Sequence, residues 1–288
     1  MQLWKLPHFQ LAPEEIFHLG PIPVTNTLLC TILGIVIILV LFFFAGRRKE
    51  MVPRGLQNVA EWALESLMSL VESIAGKRWA KKFFPLVATL FIFIFVSNLV
   101  DILPGVDSIG TIHGAVKAGE QMGPFLFGDS SNKIIPWLRP ATTDLNLTLA
   151  MALVTVLTAQ VFGFYALGAK EHIFKYINLP ALKQGPVGFI TFLATLLEIV
   201  QEFSRILSLS LRLFGNIFAG SVVLAVFAFL LPALVNIIFI PFEMLVAFVQ
   251  AFVFSLLTLV YLQLAVTSHS HEEHGEEHSV EGQAVATH

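Results

Sequence analysis

The chain has 288 residues, of which 56% are hydrophobic and 13% charged, and its formal net charge is −3 at pH 7. A soluble globular domain carries about 25% charged residues, so the composition excludes that class and indicates an integral membrane protein. The single cysteine, Cys30, excludes a disulfide framework within the chain. No small-residue cleavage site follows the first apolar run, so we expect no cleavable signal peptide.

Hydropathy and helical spacing predict an all-α integral membrane protein with about five membrane-crossing helices, including a long, strongly tilted helical hairpin, plus one cytoplasmic-side amphipathic helix. We expect a single membrane domain. In chain order its predicted parts are an external N-terminal segment (1–26), span 1 (27–46), an amphipathic surface helix (53–76), span 2 (83–103), an external Gly- and Pro-rich loop (104–143), span 3 (145–167), the two helices of the hairpin (188–231 and 233–265) and a disordered cytoplasmic tail (268–288).

The two last apolar stretches are too long to cross a membrane upright. Thirty-three helical residues extend about 50 Å, at about 1.5 Å per residue, whereas the hydrocarbon core is about 30 Å thick. We therefore expect strong tilt, a break or both, with the turn of the hairpin between Leu231 and Pro241.

Basic residues set the expected orientation. Eight of the 17 Lys and Arg residues fall between Arg47 and Lys82, and three more between Lys170 and Lys183. The positive-inside rule makes these segments cytoplasmic, which places the N-terminus outside and the C-terminus inside.

The C-terminal tail is rich in His and Glu. We expect a solvated end, with weak metal binding as the alternative; no metal site or cofactor is assigned.

Polar residues form one stripe on the fourth apolar stretch. Glu198, Glu202, Arg205 and Arg212 follow one another at steps of four, three and seven, so they share a helix face, and Asn216 continues it. An arginine at bilayer depth costs about 2.5–3.5 kcal/mol, and its guanidinium cannot shed its proton. We therefore expect Arg212 to have both a partner and a function.

A second stripe lies on the fifth stretch, where Asn236, Glu243 and Gln250 are seven residues apart. A hairpin can turn the two stripes toward each other, with Arg212 and Gln250 meeting near mid-depth and Glu198 at the cytoplasmic end. Carboxylates on each side could relay protons, and the fixed positive charge between them would block a direct leak.

Structural alternatives exist for most of these residues. Asn216 and Gln250 could be ordinary interhelical hydrogen-bonding residues. Asp144 is most simply a helix N-cap, and Asp101 an interfacial helix end. Arg205 could only stabilise insertion by pairing with an acid or amide at helical spacing, the candidates being Glu198, Gln201 and Glu202.

Four motifs carry a resemblance to a known family. The segment Ser-Leu-Arg-Leu-Phe-Gly-Asn-Ile-Phe-Ala-Gly, residues 210–220, resembles the signature of subunit a of the F-type ATP synthase. Supporting similarities are Asn-Leu-Val-Asp-Ile-Leu-Pro at 98–104, Asp-Leu-Asn-Leu-Thr at 144–148, and the residues from Gln250 to Leu262. The resemblance extends over nearly the whole chain from Phe17 onward.

The resemblance implies a stator subunit without catalytic chemistry of its own. It would translocate protons through two offset half-channels at the interface with a rotating ring of c subunits, coupling the proton gradient to ATP synthesis. The implied partners are the c ring, the subunit b peripheral stalk, the remainder of the complex and membrane lipid, with no nucleic acid and no cofactor. The implied location is the inner membrane of a bacterium, and the ring carboxylate would decide between proton and sodium.

The resemblance also implies roles for individual residues. Arg212 matches the family's essential arginine, Asn216 the asparagine four residues on, Gln250 the glutamine that faces it, and Glu198 the acid of the cytoplasmic half-channel. This sequence departs from members that carry an acid after the Ala-Gly pair and a histidine seven residues before the glutamine.

At those two positions the chain has Ser221 and Glu243. We therefore expect the external relay acid to lie on the opposite helix, at Glu243, which leaves a role for Ser221 doubtful.

Two alternative classes of protein remain at this point, a self-sufficient secondary transporter and a structural anchor. Transporters often have two related halves, which we do not find, and an anchor has no use for the insertion cost of the charged stripes.

Overall fold

The structure is a computed structural model that describes residues 13–20, 22–47, 55–102, 110–112, 134–137, 139–168, 186–230 and 234–267. The chain is largely helical over these residues. Its long helices are α1 (Asn26–Arg47), α2 (Leu56–Ile102), α3 (Leu145–Leu167), α4 (Pro186–Leu230) and α5 (Leu234–Val266). Each contains a segment long and apolar enough to cross a membrane, which confirms the predicted all-α integral membrane class.

Helix α2 is broken at Gly76, where φ is 69° and ψ is 160°. The predicted surface helix and span 2 are therefore two arms, residues 56–75 and 77–102. Residues 77–82, which lie between the predicted bounds of the surface helix and span 2, are helical. Lys, Arg and Ala, which make up most of the run 77–82, have high helix propensity, and the positive φ of Gly76 reverses the chain before them. Leu67 and Val71 are buried at 7% and 0% exposure because the first arm packs along the second.

Small antiparallel pairs of strands occur where no regular structure was predicted. Strands β1 (Glu15–Leu19) and β2 (Ile22–Thr25) precede α1, and β3 (Gly110–Ile112) pairs with β4 (Ile134–Pro136) in the long loop. Strands of three to five residues are too short to show a clear alternation of apolar and polar residues. A 3₁₀ turn, Ala141–Thr143, then leads into α3.

The core lies between α2, α3, α4 and α5. One hydrophobic cluster joins all four helices through side chains such as Ile94, Leu213 and Phe254. A second cluster joins α2, α3 and α5 and includes Phe83 and Leu262. Helix α1 packs on the outside of α2. In a membrane its exposed apolar side chains meet lipid.

Helices α4 and α5 form an antiparallel hairpin. The residue pairs in contact, 205 with 261, 216 with 250, and 220 with 243, run in opposite directions along the two helices. Helix α4 ends at Leu230 and α5 begins at Leu234, so Pro241 lies inside α5 and not after the turn. A membrane helix tolerates such a proline because neighbouring groups satisfy the freed carbonyl. The His- and Glu-rich tail, 268–288, lies outside the described residues.

Candidate functional site in the hairpin of α4 and α5

The two polar stripes meet along the contact between α4 and α5. Three successive levels of contact are visible, at Arg205, at Asn216 and at Gly220. Arg205 and Asn216 are about three turns apart on α4, and Asn216 and Gly220 about one turn. The stripe of α4 therefore faces that of α5 over much of the hairpin.

Arg205 is neutralised inside the chain. Its Nη1 donates to Glu202 Oε1 at 2.6 Å, and the side chains of Arg205 and Glu202 are 19% and 16% exposed. The guanidinium carbon also lies 5.2 Å from the centre of the Tyr261 ring on α5. The pair within α4 is the geometry of the structural alternative, in which Arg205 stabilises insertion by pairing with an acid at helical spacing. The cation–π contact with Tyr261 adds a link to α5.

Arg212 is in a different electrostatic situation. Its side chain is exposed, and its Nη2 donates to Ser208 Oγ, one turn earlier on α4, at 3.3 Å. Among the described residues no carboxylate forms an ion pair with it. We expected Gln250 to meet Arg212, but the hydrogen bond of Gln250 goes to Asn216. The positive charge is therefore uncompensated by the described part of the chain.

Asn216 and Gln250 form the level next to Arg212. Asn216 Nδ2 donates to Gln250 Oε1 at 2.7 Å, and Gln250 is only 4% exposed. Its other amide atom, Nε2, is buried and has no acceptor among the described residues. An unsatisfied buried donor costs about 1–3 kcal/mol, so this position calls for an acceptor from outside those residues.

Glu243 is half-buried and lies against Gly220. A Cβ atom at Gly220 would come within 3.0 Å of Glu243 Oε1. The missing side chain therefore provides the space that the carboxylate occupies. Gly220 was not among the residues predicted from the sequence, although its position four residues after Asn216 and the preference for small residues at membrane helix contacts could have indicated it.

Ser221, whose role the sequence left doubtful, forms a hydrogen bond within its own helix. Its Oγ donates to Ile217 O on the same helix at 3.0 Å, the usual arrangement of a serine inside a helix. At this level of α4 the contacting acid among the described residues is Glu243, on the opposite helix.

Glu198 and Glu243 lie on opposite sides of Arg212 along the hairpin. Glu198, which is half-buried, precedes Arg212 by 14 residues, which corresponds to about 21 Å of helix. Gly220, beside Glu243, follows Arg212 by eight residues, or about 12 Å. The arrangement is two separated carboxylates with a fixed cation between them.

The other predicted residues lie away from this contact or outside the described side chains. Asp144 caps α3, as expected, by accepting from Asn146 N at 2.9 Å, and it also accepts from Thr27 Oγ1 at 3.1 Å. Asp101 and Asn236 lie in α2 and α5, but their side chains are not among those described. In the described part of the chain no group of His, Cys, Asp or Glu residues could hold a metal ion.

A stripe of small residues runs beside Arg212 on the exposed face of α4. Ser204, Ser208, Gly215 and Ala219 follow at steps of four, seven and four, and all are exposed. Small residues allow a second membrane helix to approach closely. This stripe was not predicted from the sequence, although its signal is the same helical spacing that revealed the charged residues.

Comparisons with known proteins agree on one family. The family model described as ATP synthase A chain matches residues 28–263. ATP synthase subunit a of Moorella thermoacetica is 34% identical over 90% of this chain and 99% of its own length. The corresponding subunits of Geotalea uraniireducens and Geobacter sulfurreducens are 35% and 34% identical, each over 88% of this chain and 91% of the relative.

Proposed function

We propose a proton path, partner subunits and a membrane orientation for this chain, which belongs to the ATP synthase A chain family. Its function is that of subunit a, the non-catalytic, proton-translocating membrane subunit of an ATP synthase. Family membership decides against the two alternatives, a self-sufficient transporter and a structural anchor.

The contrast between Arg205 and Arg212 carries the proposal. Arg205 is neutralised by Glu202, whereas Arg212 is exposed and has only a hydroxyl as its hydrogen-bond partner among the described residues. A charge at membrane depth needs a partner of opposite sign. We infer that this partner is a carboxylate of another subunit, in a ring of c subunits, whose helices pack on the small-residue stripe beside Arg212.

The electrostatics of that contact explain why the ring carboxylate takes up and releases protons. A ring carboxylate opposite Arg212 stays ionised because the nearby positive charge favours its charged form. Once the ring turns it toward lipid, it must be neutral, since an isolated charge there is costly. Each carboxylate therefore takes up a proton before it enters the lipid and releases it on its return.

The two carboxylates of the hairpin supply the two half-channels. We assign Glu243, in the space left by Gly220, to the external half-channel and Glu198 to the cytoplasmic one. Asn216 and Gln250 lie between Glu243 and Arg212, where the unsatisfied Gln250 Nε2 can hold a water molecule of the path.

The positive charge of Arg212 keeps the two half-channels separate. A proton that passed straight between them would have to cross next to a fixed cation, so it travels on the ring instead. The membrane potential then supplies about 2.3 kcal/mol per proton for each 100 mV.

We further propose that the chain sits in a bacterial inner membrane with its N-terminus outside and its C-terminus in the cytoplasm. The concentration of Lys and Arg between residues 47 and 82 supports this orientation, and the relatives named above are bacterial. The second proposed partner within the ATP synthase is the subunit b peripheral stalk.

Sided thiol labelling tests the half-channels. Because Cys30 is the one cysteine of the chain, Cys30→Ser gives a thiol-free background for Glu198→Cys and Glu243→Cys. A membrane-impermeant thiol reagent is expected to label Glu198→Cys in inverted vesicles and Glu243→Cys in right-side-out vesicles. Leu213→Cys, at a fully buried position, is the unreactive control. Labelling of both variants from the same side would contradict the assignment.

A further inference from the structure

A crevice between α1 and α2 lies apart from the hairpin contact. Its volume is about 460 Å³, within the range of about 300–1,000 Å³ typical of small-molecule sites. Ile38 and Phe42 of α1 form one wall, and the second arm of α2, around Ala88, forms the other. The reversal of the chain at Gly76 brings Leu64 of the first arm to the same crevice.

The lining offers no free hydrogen-bonding side chain. Among the described residues that line the crevice, Thr89 alone has a polar side chain. Its hydroxyl donates to Pro85 O at 2.7 Å and lies 3.0 Å from Leu86 O, so it is already satisfied. The part of a ligand that fills this crevice must therefore be apolar.

Positive charge stands at one end of the crevice. Lys81, Pro85, Ala88 and Ile92 follow at steps of four, three and four, so exposed Lys81 lies on the same stripe of α2 as the lining residues. Gly34 of α1 lies against Ser97, and Phe42 lines the crevice with Phe84, so α1 and the second arm of α2 run antiparallel. Arg47, in the last turn of α1, therefore lies at the same end as Lys81. None of the described lining residues is acidic.

We infer that this crevice binds one anionic phospholipid of the surrounding membrane. One acyl chain lies between α1 and α2, and the phosphate lies at Lys81 and Arg47. A partner helix does not fit inside, because a helix with its side chains is about 10–12 Å wide and several turns of it would exceed the volume of the crevice. The combination of an apolar slot and a basic end matches the two parts of a phospholipid.

Native mass spectrometry of the isolated, assembled complex tests this inference. The complex is stripped of loosely bound lipid in detergent and titrated with phosphatidylglycerol or phosphatidylcholine of the same acyl chains. We expect one tightly retained phosphatidylglycerol that Ala88→Phe removes by filling the crevice. Lys81→Gln is expected to weaken binding about fivefold, the effect of one basic residue at an anionic surface.

Lys82→Gln is the matched control, since it removes the same charge one residue away. The Lys82 ammonium lies 4.8 Å and 4.4 Å from the centres of the Trp79 and Tyr165 rings, on another face of the helix, so lipid retention should not change. Equal retention by Ala88→Phe and the unsubstituted complex would overturn the site. Equal retention of both lipids, or equal loss with Lys81→Gln and Lys82→Gln, would overturn the anionic headgroup. If the Ala88→Phe complex does not assemble, the comparison of Lys81→Gln with Lys82→Gln still tests whether the lipid binds at this site.

Discussion

Gly220 determines how much room the Glu243 carboxylate has. A methyl group at Gly220 would lie 3.0 Å from Glu243 Oε1, tighter than an ordinary contact, and the carboxylate is the flexible end of its side chain. We therefore expect Gly220→Ala to leave the complex assembled while moving the carboxylate by a few tenths of an ångström. Because the proposed relay depends on that position, ATP-driven proton pumping in inverted vesicles should slow several-fold.

Shortening the acid provides the control for this variant. Glu243→Asp withdraws the carboxylate from position 220, so the double variant Gly220→Ala/Glu243→Asp should pump better than the two single effects combined imply. A coupling of about 1 kcal/mol, or about fivefold in rate, is typical of residues in contact. Strictly additive effects would show that Gly220 does not act through Glu243.

The charged residues of the site were predictable, but their pairing was only partly so. Glu202 precedes Arg205 by three residues, whereas the positions three and four residues from Arg212 carry Ser208, Leu209, Gly215 and Asn216. The sequence therefore already shows that Arg205 has an acid at helical spacing and that Arg212 does not. The contact of Gly220 with Glu243 was not predictable, because it depends on how α4 and α5 align along each other.

At the scale of helices, Gly76 allows α2 to fold back on itself. Its φ of 69° and ψ of 160° lie in a region that is essentially restricted to glycine, and another residue there costs about 1–3 kcal/mol. Gly76→Ala is therefore expected to lower the stability of the purified complex, measured by thermal melting. Nothing lies within 4 Å of a Cβ placed at Gly76, so any loss reflects the backbone and not a clash.

Gly46→Ala is the matched variant for this measurement. Gly46 lies in the last turns of α1 without a positive φ, and a Cβ placed there also meets nothing within 4 Å. Alanine is favoured over glycine in a helix by about 1 kcal/mol, so this variant should melt at the same temperature or slightly higher. Equal melting of the Gly76→Ala and Gly46→Ala complexes would contradict the role assigned to the break.

The helices themselves followed from hydropathy and spacing because each needs about 20 apolar residues to cross the hydrocarbon core. The sequence did not indicate that the surface helix and span 2 are separated only by Gly76, because the basic residues between them can belong to either a helix or a connection. The strand pairs β1–β2 and β3–β4 escaped prediction because short ladders depend on contacts between segments more than on local pattern.

At the scale of the whole molecule, the hairpin is held by the helices behind it. Buried Leu209, Leu213 and Ile217 pack α4 into the core with α2, α3 and α5, which leaves the opposite face of α4 exposed. Arg212 lies at the edge of that face. Within the described residues, the bundle thus presents Arg212 to the surrounding membrane without a carboxylate partner.

ATP-driven proton pumping by inverted vesicles that carry Arg212→Ala tests the central claim most directly. Assembly of the complex is verified by blotting. The control is Glu202→Gln/Arg205→Gln, which removes the neutralised pair seven and ten residues before Arg212. We expect Arg212→Ala to abolish pumping and to let protons leak passively, while the control pumps. Full pumping by an assembled Arg212→Ala complex would contradict the claim that this arginine separates the half-channels and holds the ring carboxylate ionised.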